Sequence, residues 1–100
     1  MKILFICNAA MQRSPTAAEI FSNKHKTACA GVYSEHRPIT EKLLEWSDII
    51  YVMEDHQRRF IGENFPKQYM QKRIVNLDIP DIFLRGQPEL VKLLKEKVNN

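Results

Sequence analysis

The chain has 100 residues, 44% of them hydrophobic, so we expect a single folded domain spanning 1–100 rather than a disordered chain. No apolar run reaches the roughly 20 residues that a membrane-spanning helix needs, and the short run after Met1 does not resemble a signal peptide; we therefore expect a cytoplasmic protein with no membrane partner. The net charge of +3 favours acidic ligands such as phosphate, while the dispersal of the basic residues argues against a nucleic-acid partner.

The two cysteines, Cys7 and Cys29, are too few for the disulfide framework of a small secreted domain. The three histidines show no metal-ligand spacing with them, so the sequence predicts no metal site. Free thiols in a reducing compartment are the remaining interpretation. We expect Cys29 to be a small buried core residue.

Short apolar runs alternate with helical patterns along the chain. Strands are predicted at 3–6, 27–30, 48–53 and 73–77. Helices are predicted from 15 to about 26, after Thr40, over 55–62 and from Pro88 onward. In the first helix, Ser14 is the expected N-cap and Pro15 the first helical residue. Residues 62–73 lack apolar periodicity and are expected to be a surface connection.

Strands separated by helices predict right-handed crossovers and therefore an α/β fold. We expect a four-stranded parallel sheet with helices on both faces. Ligands bind beyond the carboxyl ends of the strands in such sheets. Cys7 directly follows the first strand and the turn 78–81 follows the fourth, so both are expected at that edge.

The segment 7–15 combines a cysteine at a strand end, five intervening residues, an arginine and the start of a helix. Successive backbone N–H groups in such a loop, together with a helix N-terminus, bind an oxyanion and favour a thiolate. Arg13 can hold two phosphoryl oxygens at once, and the Ser14 hydroxyl can donate to the thiolate. The residues expected to bind phosphate are Asn8, Ala9, Ala10, Met11, Gln12, Arg13 and Ser14. We name residues 8–12, whose backbone amides would face the phosphate, the phosphate loop.

The spacing of Cys7 and Arg13 is weak as an isolated signal. A free cysteine in a buried strand is usually a core residue. An arginine also stands six places after a cysteine by chance in about one case in twenty. The apolar strand before the loop and the Ser-Pro pair after it make the functional interpretation stronger than the spacing does.

The opening I-L-F-I-C-x5-R-S-P-T-A-A-E-I-F resembles that of the low-molecular-weight protein tyrosine phosphatases. Three later segments also resemble the family: Ala30-Gly31, the strand 48–53 and Ile79-Pro80-Asp81. The resemblance covers most of the chain, which is a short variant trimmed in the middle and near the end. It implies a flavodoxin-like fold of the phosphotyrosine phosphatase I type.

The resemblance also implies roles for individual residues. Cys7 would attack phosphorus, Arg13 would bind the phosphoryl group, and Asp81 would act first as acid and then as base. The substrate would be a phosphotyrosine protein or a small aryl phosphate, with inorganic phosphate as product and no metal or cofactor. Asp78 is the alternative acid, and Phe83 would either stack on an aromatic substrate or pack inward.

The phosphate loop departs from the family pattern at three positions. Ala9 and Ala10 stand where the family usually has glycine and asparagine, and Gln12 replaces a second cysteine. The altered loop leaves open a phosphate-binding module without catalysis. A phosphocysteine carrier, like the IIB proteins of sugar phosphotransferase systems, is the other alternative; Arg13 and Asp81 argue against it because a carrier must not hydrolyse its intermediate.

Overall fold

The computed structural model describes residues 1–98, in which four strands form one parallel sheet. The strands are β1 (Lys2–Cys7), β2 (Lys26–Gly31), β3 (Ile49–Val52) and β4 (Arg73–Asn76). Their order in the sheet is β2-β1-β3-β4. The predicted four-stranded parallel sheet is confirmed, and each strand end lies within one residue of its predicted position.

Five helices occur in residues 1–98, one more than predicted. They are α1 (Arg13–Phe21), α2 (Glu41–Trp46), α3 (Asp55–Asn64), α4 (Pro66–Gln71) and α5 (Pro88–Val98). The prediction of a surface connection over 62–73 is wrong, because α4 lies within it. Pro66 begins this helix at a position where a missing N–H group costs no hydrogen bond. None of the helices in the described part of the chain is long and apolar enough to cross a membrane.

The predicted start of α1 is also wrong by two residues. Arg13 is already helical, the residue before it occupies the cap position, and Ser14 is not the N-cap. The Ser14 hydroxyl lies 3.0 Å from the Cys7 sulfur instead. Pro15 is tolerated in this first turn because the first four N–H groups of a helix have no intrahelical partner. The helix ends at Phe21 and not near residue 26, because β2 begins at Lys26.

The core lies on both faces of the sheet, as predicted. Alternate side chains of β1 point to opposite faces, so this central strand contributes to both layers. One layer joins the sheet to α1 and α5 through Ile3, Phe5, Cys7, Ala17, Phe21, Leu90 and Leu94. The other joins it to α2 and α3 through Leu4, Ile6, Leu44, Ile50 and Ile61. Each large apolar side chain buried in this way contributes about 2 kcal/mol, so the end of β1 has a rigid base.

The backbone ladder continues past the carboxyl ends of the strands. The N–H of Met53 donates to the carbonyl of Ile6 at 3.1 Å, and the N–H of Ile79 donates to Met53 at 2.8 Å. The segments that follow β1, β3 and β4 are therefore fixed side by side at one edge of the sheet.

Candidate active site

Cys7 is the last residue of β1 and is 2% exposed. Its sulfur lies 3.0 Å from the Ser14 hydroxyl, and its carbonyl accepts a hydrogen bond from the N–H of Val32 at 3.1 Å. The thiol thus lies at the base of the phosphate loop, between a central strand and the first turn of α1. The expected partnership of Cys7 and Ser14 is present.

The phosphate loop contains a left-handed turn at Ala10, whose φ is 57°. An alanine in this region costs roughly 1–2 kcal/mol, which explains why glycine is the usual residue in such turns. The loop therefore forms this left-handed turn with an alanine in place of glycine. Its backbone also lies close to Gly31, where a Cβ atom would meet the carbonyl of Asn8 at 2.6 Å. Only glycine lets the end of β2 approach the loop this closely.

The Arg13 side chain is 1% exposed and is fixed from one side. Its Nη1 donates to Oε1 of Glu54 at 2.6 Å and to the carbonyl of Ile79 at 2.7 Å. Its Nε and Nη2 are buried and have no hydrogen-bond partner among residues 1–98. These two atoms form the edge of a guanidinium group that binds two oxygens of one anion. Glu54 and the carbonyl of Ile79 thus hold the guanidinium group in place, while its Nε–Nη2 edge forms no hydrogen bond with residues 1–98.

A cavity of about 280 Å³ lies over the phosphate loop. Its lining is formed by Cys7, Asn8, Ala9, Met11, Gln12, Arg13 and Asp81. Seven predicted site residues are thus together at the carboxyl edge of the sheet. The other predicted phosphate-binding residues, Ala10 and Ser14, are buried and do not line this cavity; Ala10 forms the turn and Ser14 contacts the thiol.

Asp81 lies at the cavity and Asp78 does not. The Asp81 side chain is half exposed, and its Oδ2 is 3.5 Å from Nη2 of Arg13. Asp78 is exposed and takes a left-handed conformation, with φ 58°, in which its N–H donates to the Asn76 side chain at 2.9 Å. Asp78 is a turn residue in this geometry, whereas Asp81 lines the cavity over the phosphate loop.

Phe83 packs inward and is not part of the cavity lining. Its ring is half-buried against the layer formed by α1 and α5, which favours the packing alternative over stacking on substrate. The prediction that Cys29 is buried is wrong, because this residue is half-buried on the edge strand β2. Its sulfur lies 3.8 Å from Nη1 of Arg37.

Sequence reasoning missed three polar residues at the start of α3: Glu54, His56 and Gln57. Glu54 binds Arg13, and the other two contact Oδ1 of Asn8, His56 at 2.6 Å and Gln57 at 3.0 Å. A signal for them was present. They follow β3 directly, and the carboxyl ends of parallel strands share one edge, so polar side chains there belong near Cys7.

The described residues contain no cluster of three or more histidine, cysteine, aspartate or glutamate side chains arranged to hold a metal ion.

Solved structures of phosphatases share the fold of this chain. The YwlE arginine phosphatase from Geobacillus stearothermophilus has a TM-score of 0.71 and 22% identity, with 98% of this chain and 92% of that chain covered. The tyrosine phosphatase Wzb from Escherichia coli K30, in complex with phosphate, has a TM-score of 0.75 and 19% identity, covering 98% and 93%. A protein tyrosine phosphatase from Entamoeba histolytica has a TM-score of 0.75 and 22% identity, covering 97% and 91%.

No protein-family model matches the sequence, and a search of curated proteins finds no match. At the identities of the three structures, similarity establishes the fold alone. The chain has the α/β fold of these phosphatases, which are members of the low-molecular-weight protein tyrosine phosphatase family. The fold that the sequence resemblance implied is confirmed.

Proposed function

We propose that this protein is a phosphatase that hydrolyses phosphotyrosine or similar aryl phosphate monoesters through a cysteinyl-phosphate intermediate. The observation that carries the proposal is the Nε–Nη2 edge of Arg13, whose two buried nitrogens have no hydrogen-bond partner among the described residues, with the Asp81 carboxylate 3.5 Å from Nη2. A buried donor without a partner costs about 1–3 kcal/mol. An oxyanion bound beside Cys7 would satisfy both donors with the geometry that phosphate offers.

In the first step, the Cys7 thiolate attacks phosphorus, forming an S–P bond while the bond between phosphorus and the aryl oxygen breaks. Asp81 gives its proton to the departing oxygen, so the product leaves as a neutral phenol. Arg13 and the phosphate-loop amides stabilise the charge on the phosphoryl oxygens as they become equatorial. The side chain of Ser14 donates a hydrogen bond to the sulfur.

In the second step, the Asp81 carboxylate takes a proton from water as that water attacks phosphorus. A P–O bond forms, the S–P bond breaks, and Cys7 returns to the thiolate with release of inorganic phosphate. One carboxyl group thus acts as acid and then as base, and the proton that it lost is restored.

The proposed test is a substrate panel with the purified protein: phenyl phosphate, phosphotyrosine, phosphoserine and phosphoarginine. We expect aryl phosphates to be hydrolysed fastest. Cys7→Ser should abolish turnover, because an alcohol at ordinary pKa is a poor nucleophile in this loop. Cys29→Ser is the matched control and should retain wild-type turnover. A rapid denaturing quench during turnover should trap phosphate on Cys7 of the wild type.

Each alternative gives a different result. Phosphate binding without turnover of any ester would identify a binding module and overturn the proposal. A phosphocysteine that persists after the donor is removed would identify a carrier. Faster hydrolysis of phosphoarginine than of every aryl ester would leave the chemistry in place and overturn the substrate class.

We also propose a cytoplasmic location and no nucleic-acid partner. Both cysteines are free, and the mechanism requires Cys7 to remain reduced, which a reducing compartment maintains. Fractionation of cells should find the protein with cytoplasmic markers. Recovery from an oxidising compartment with a Cys7–Cys29 disulfide would contradict this location.

A further inference from the structure

Both ends of the Asn8 side-chain amide are engaged. Its Oδ1 accepts from Nε2 of Gln57 at 3.0 Å and lies 2.6 Å from Nε2 of His56. Its Nδ2 donates to Oδ2 of Asp81 at 3.3 Å. Since an amide oxygen only accepts, His56 must carry its proton on Nε2 in this contact. The first residue of the phosphate loop therefore links the start of α3 to the proposed general acid.

The orientation of this amide is imposed by Gln57, which is fully buried. Oε1 of Gln57 accepts from the backbone N–H groups of Met53, at 2.7 Å, and Glu54, at 3.0 Å. Nε2 of Gln57 must then point away from these two groups, toward Asn8. With two donors on its oxygen, Asn8 can only present its nitrogen to Asp81.

Asp81 has two possible partners for the same oxygen atom. Its Oδ2 is 3.5 Å from Nη2 of Arg13 and 3.3 Å from Nδ2 of Asn8. Nη2 of Arg13 carries two N–H groups, and with substrate present one of them would bind a phosphoryl oxygen, so this atom is shared between the phosphoryl group and Asp81. The contact with Asn8 does not involve the atoms that bind phosphate, so it can persist with the substrate present.

We propose that Asn8 is a positioning residue for Asp81, a role that rests on the proposed phosphatase function. Because Nδ2 only donates, it requires a bare oxygen at Oδ2. The proton of the acid form is then carried on Oδ1, the oxygen that is free to protonate the leaving group. His56 and Gln57 act through Asn8 by fixing its amide.

The kinetic test compares esters that need a proton with esters that do not. Asn8→Leu should slow hydrolysis of phenyl phosphate about 10-fold, because misplacement of a catalytic group is costly. It should slow dinitrophenyl phosphate far less, since that phenol leaves without a proton. Adding Asn8→Leu to Asp81→Asn should cause little further loss on phenyl phosphate, because both changes remove one function. Equal slowing of both esters would show that Asn8 only braces the loop and would overturn the proposal.

His56→Ala tests the contact between His56 and the side chain of Asn8, which lies on the opposite side of Asn8 from Asp81. Like Asn8→Leu, it should slow hydrolysis of phenyl phosphate more than that of dinitrophenyl phosphate. The effect should be smaller than that of Asn8→Leu, because Gln57 still binds Oδ1 of Asn8. His36→Ala, in an exposed loop, is the matched control and should leave the dependence unchanged. An identical profile for both histidine variants would contradict the role of His56.

A measurement that does not require activity uses nuclear magnetic resonance of the Asn8 side-chain amide protons. Asp81→Ala should shift these signals and speed their exchange with water, whereas Asp78→Ala should not. Signals that Asp81→Ala leaves unchanged would overturn the proposal even if the enzyme is active. If no ester is hydrolysed, the proposed function fails, and this spectrum still decides whether Asn8 binds Asp81.

Discussion

Two arginines in this molecule have opposite patterns of hydrogen bonding. On α3, all three nitrogens of Arg58 have partners: Nε and Nη2 lie 2.8 Å from Oδ1 of Asp55, and Nη1 donates to the Tyr69 hydroxyl at 2.5 Å. In the buried Arg13, Nη1 has two hydrogen-bond partners, whereas Nε and Nη2 have no hydrogen bond among residues 1–98. All three nitrogens of Arg58 are thus bonded within the fold, whereas Arg13 is paired with Glu54 and keeps two nitrogens without a hydrogen bond.

The difference shows how a structural cation can be told from a ligand-binding one. An exposed ion pair contributes little to stability, because water can solvate either group when its partner is removed. A buried cation with open donors is unfavourable unless something else binds it. Matched substitutions in the two regions should therefore have opposite consequences: loss of function at the carboxyl edge of the sheet, and small changes in stability on α3.

The largest effect is expected from the arginines themselves. Arg13→Lys should lower kcat by about 10²–10³-fold, because an ammonium group cannot reproduce two parallel hydrogen bonds to the phosphoryl group. Arg58→Lys should leave kcat at the wild-type value. Steady-state kinetics on phenyl phosphate measure both. A raised KM with unchanged kcat in Arg13→Lys would show that the open edge binds substrate without stabilising the transition state.

The next effect concerns the carboxyl groups. Asp81→Asn should slow hydrolysis of phenyl phosphate by about 10²-fold or more, and esters of acidic phenols much less, because only the former need a proton donor. Asp78→Asn should show no such dependence on the leaving group. Rates across a series of substituted phenyl phosphates provide the measurement. A dependence found with Asp78→Asn instead would transfer the acid role to that residue.

A third pair compares two glycines. Gly31→Ala should lower the free energy of unfolding by about 1–3 kcal/mol, because the new Cβ would lie 2.6 Å from the Asn8 carbonyl. It should also lower turnover by displacing the loop. Gly62→Ala, in the interior of α3 with Tyr69 at 3.4 Å, should raise the free energy of unfolding by up to about 1 kcal/mol. Urea denaturation measures the free energy of unfolding of both variants. If both substitutions changed this free energy equally, the phosphate loop would be able to move freely away from β2.

The smallest effect is expected from pH. The hydrogen bond from Arg58 lowers the pKa of Asp55 below its ordinary value in the folded protein. The pair therefore stabilises the fold above the ordinary carboxyl pKa, and this contribution is lost as the pH falls through the lowered value. The difference in unfolding free energy between wild type and Asp55→Asn should narrow on acidification. Arg58→Ala should show the same narrowing; a constant difference would contradict the pairing.

Much of the sheet could be predicted because β1 and β3 are continuous apolar runs, which is typical of strands buried on both faces. The helix α4 was missed because its six residues include only two apolar ones, and its exposed surface lacks the stripe that identifies longer helices. Its one usable signal was Pro66, a residue favoured at the first position of a helix. The N-cap of α1 was mispredicted because Ser14 has a competing partner, the thiol, that sequence cannot show.

The placement of Cys7 and Arg13 at one cavity could be predicted because the two residues are close in the chain, and a loop between strand and helix fixes their relative position. The role of Glu54 could not, because its contact with Arg13 joins residues 41 positions apart. The same holds for the amide of Asn8, whose two ends contact α3 and the loop after β4. Sequence patterns describe local geometry, and these contacts depend on how the whole sheet assembles.

Arg13 contacts the chain at separations of 41 and 66 residues, through Glu54 and the carbonyl of Ile79. Contacts between residues distant in sequence form late, because the intervening chain must first be ordered. The phosphate affinity proposed for this site would therefore be gained by a refolding molecule only when β4 has joined the sheet. A ligand that binds the site would report the completion of folding more faithfully than the appearance of helix or of a buried core.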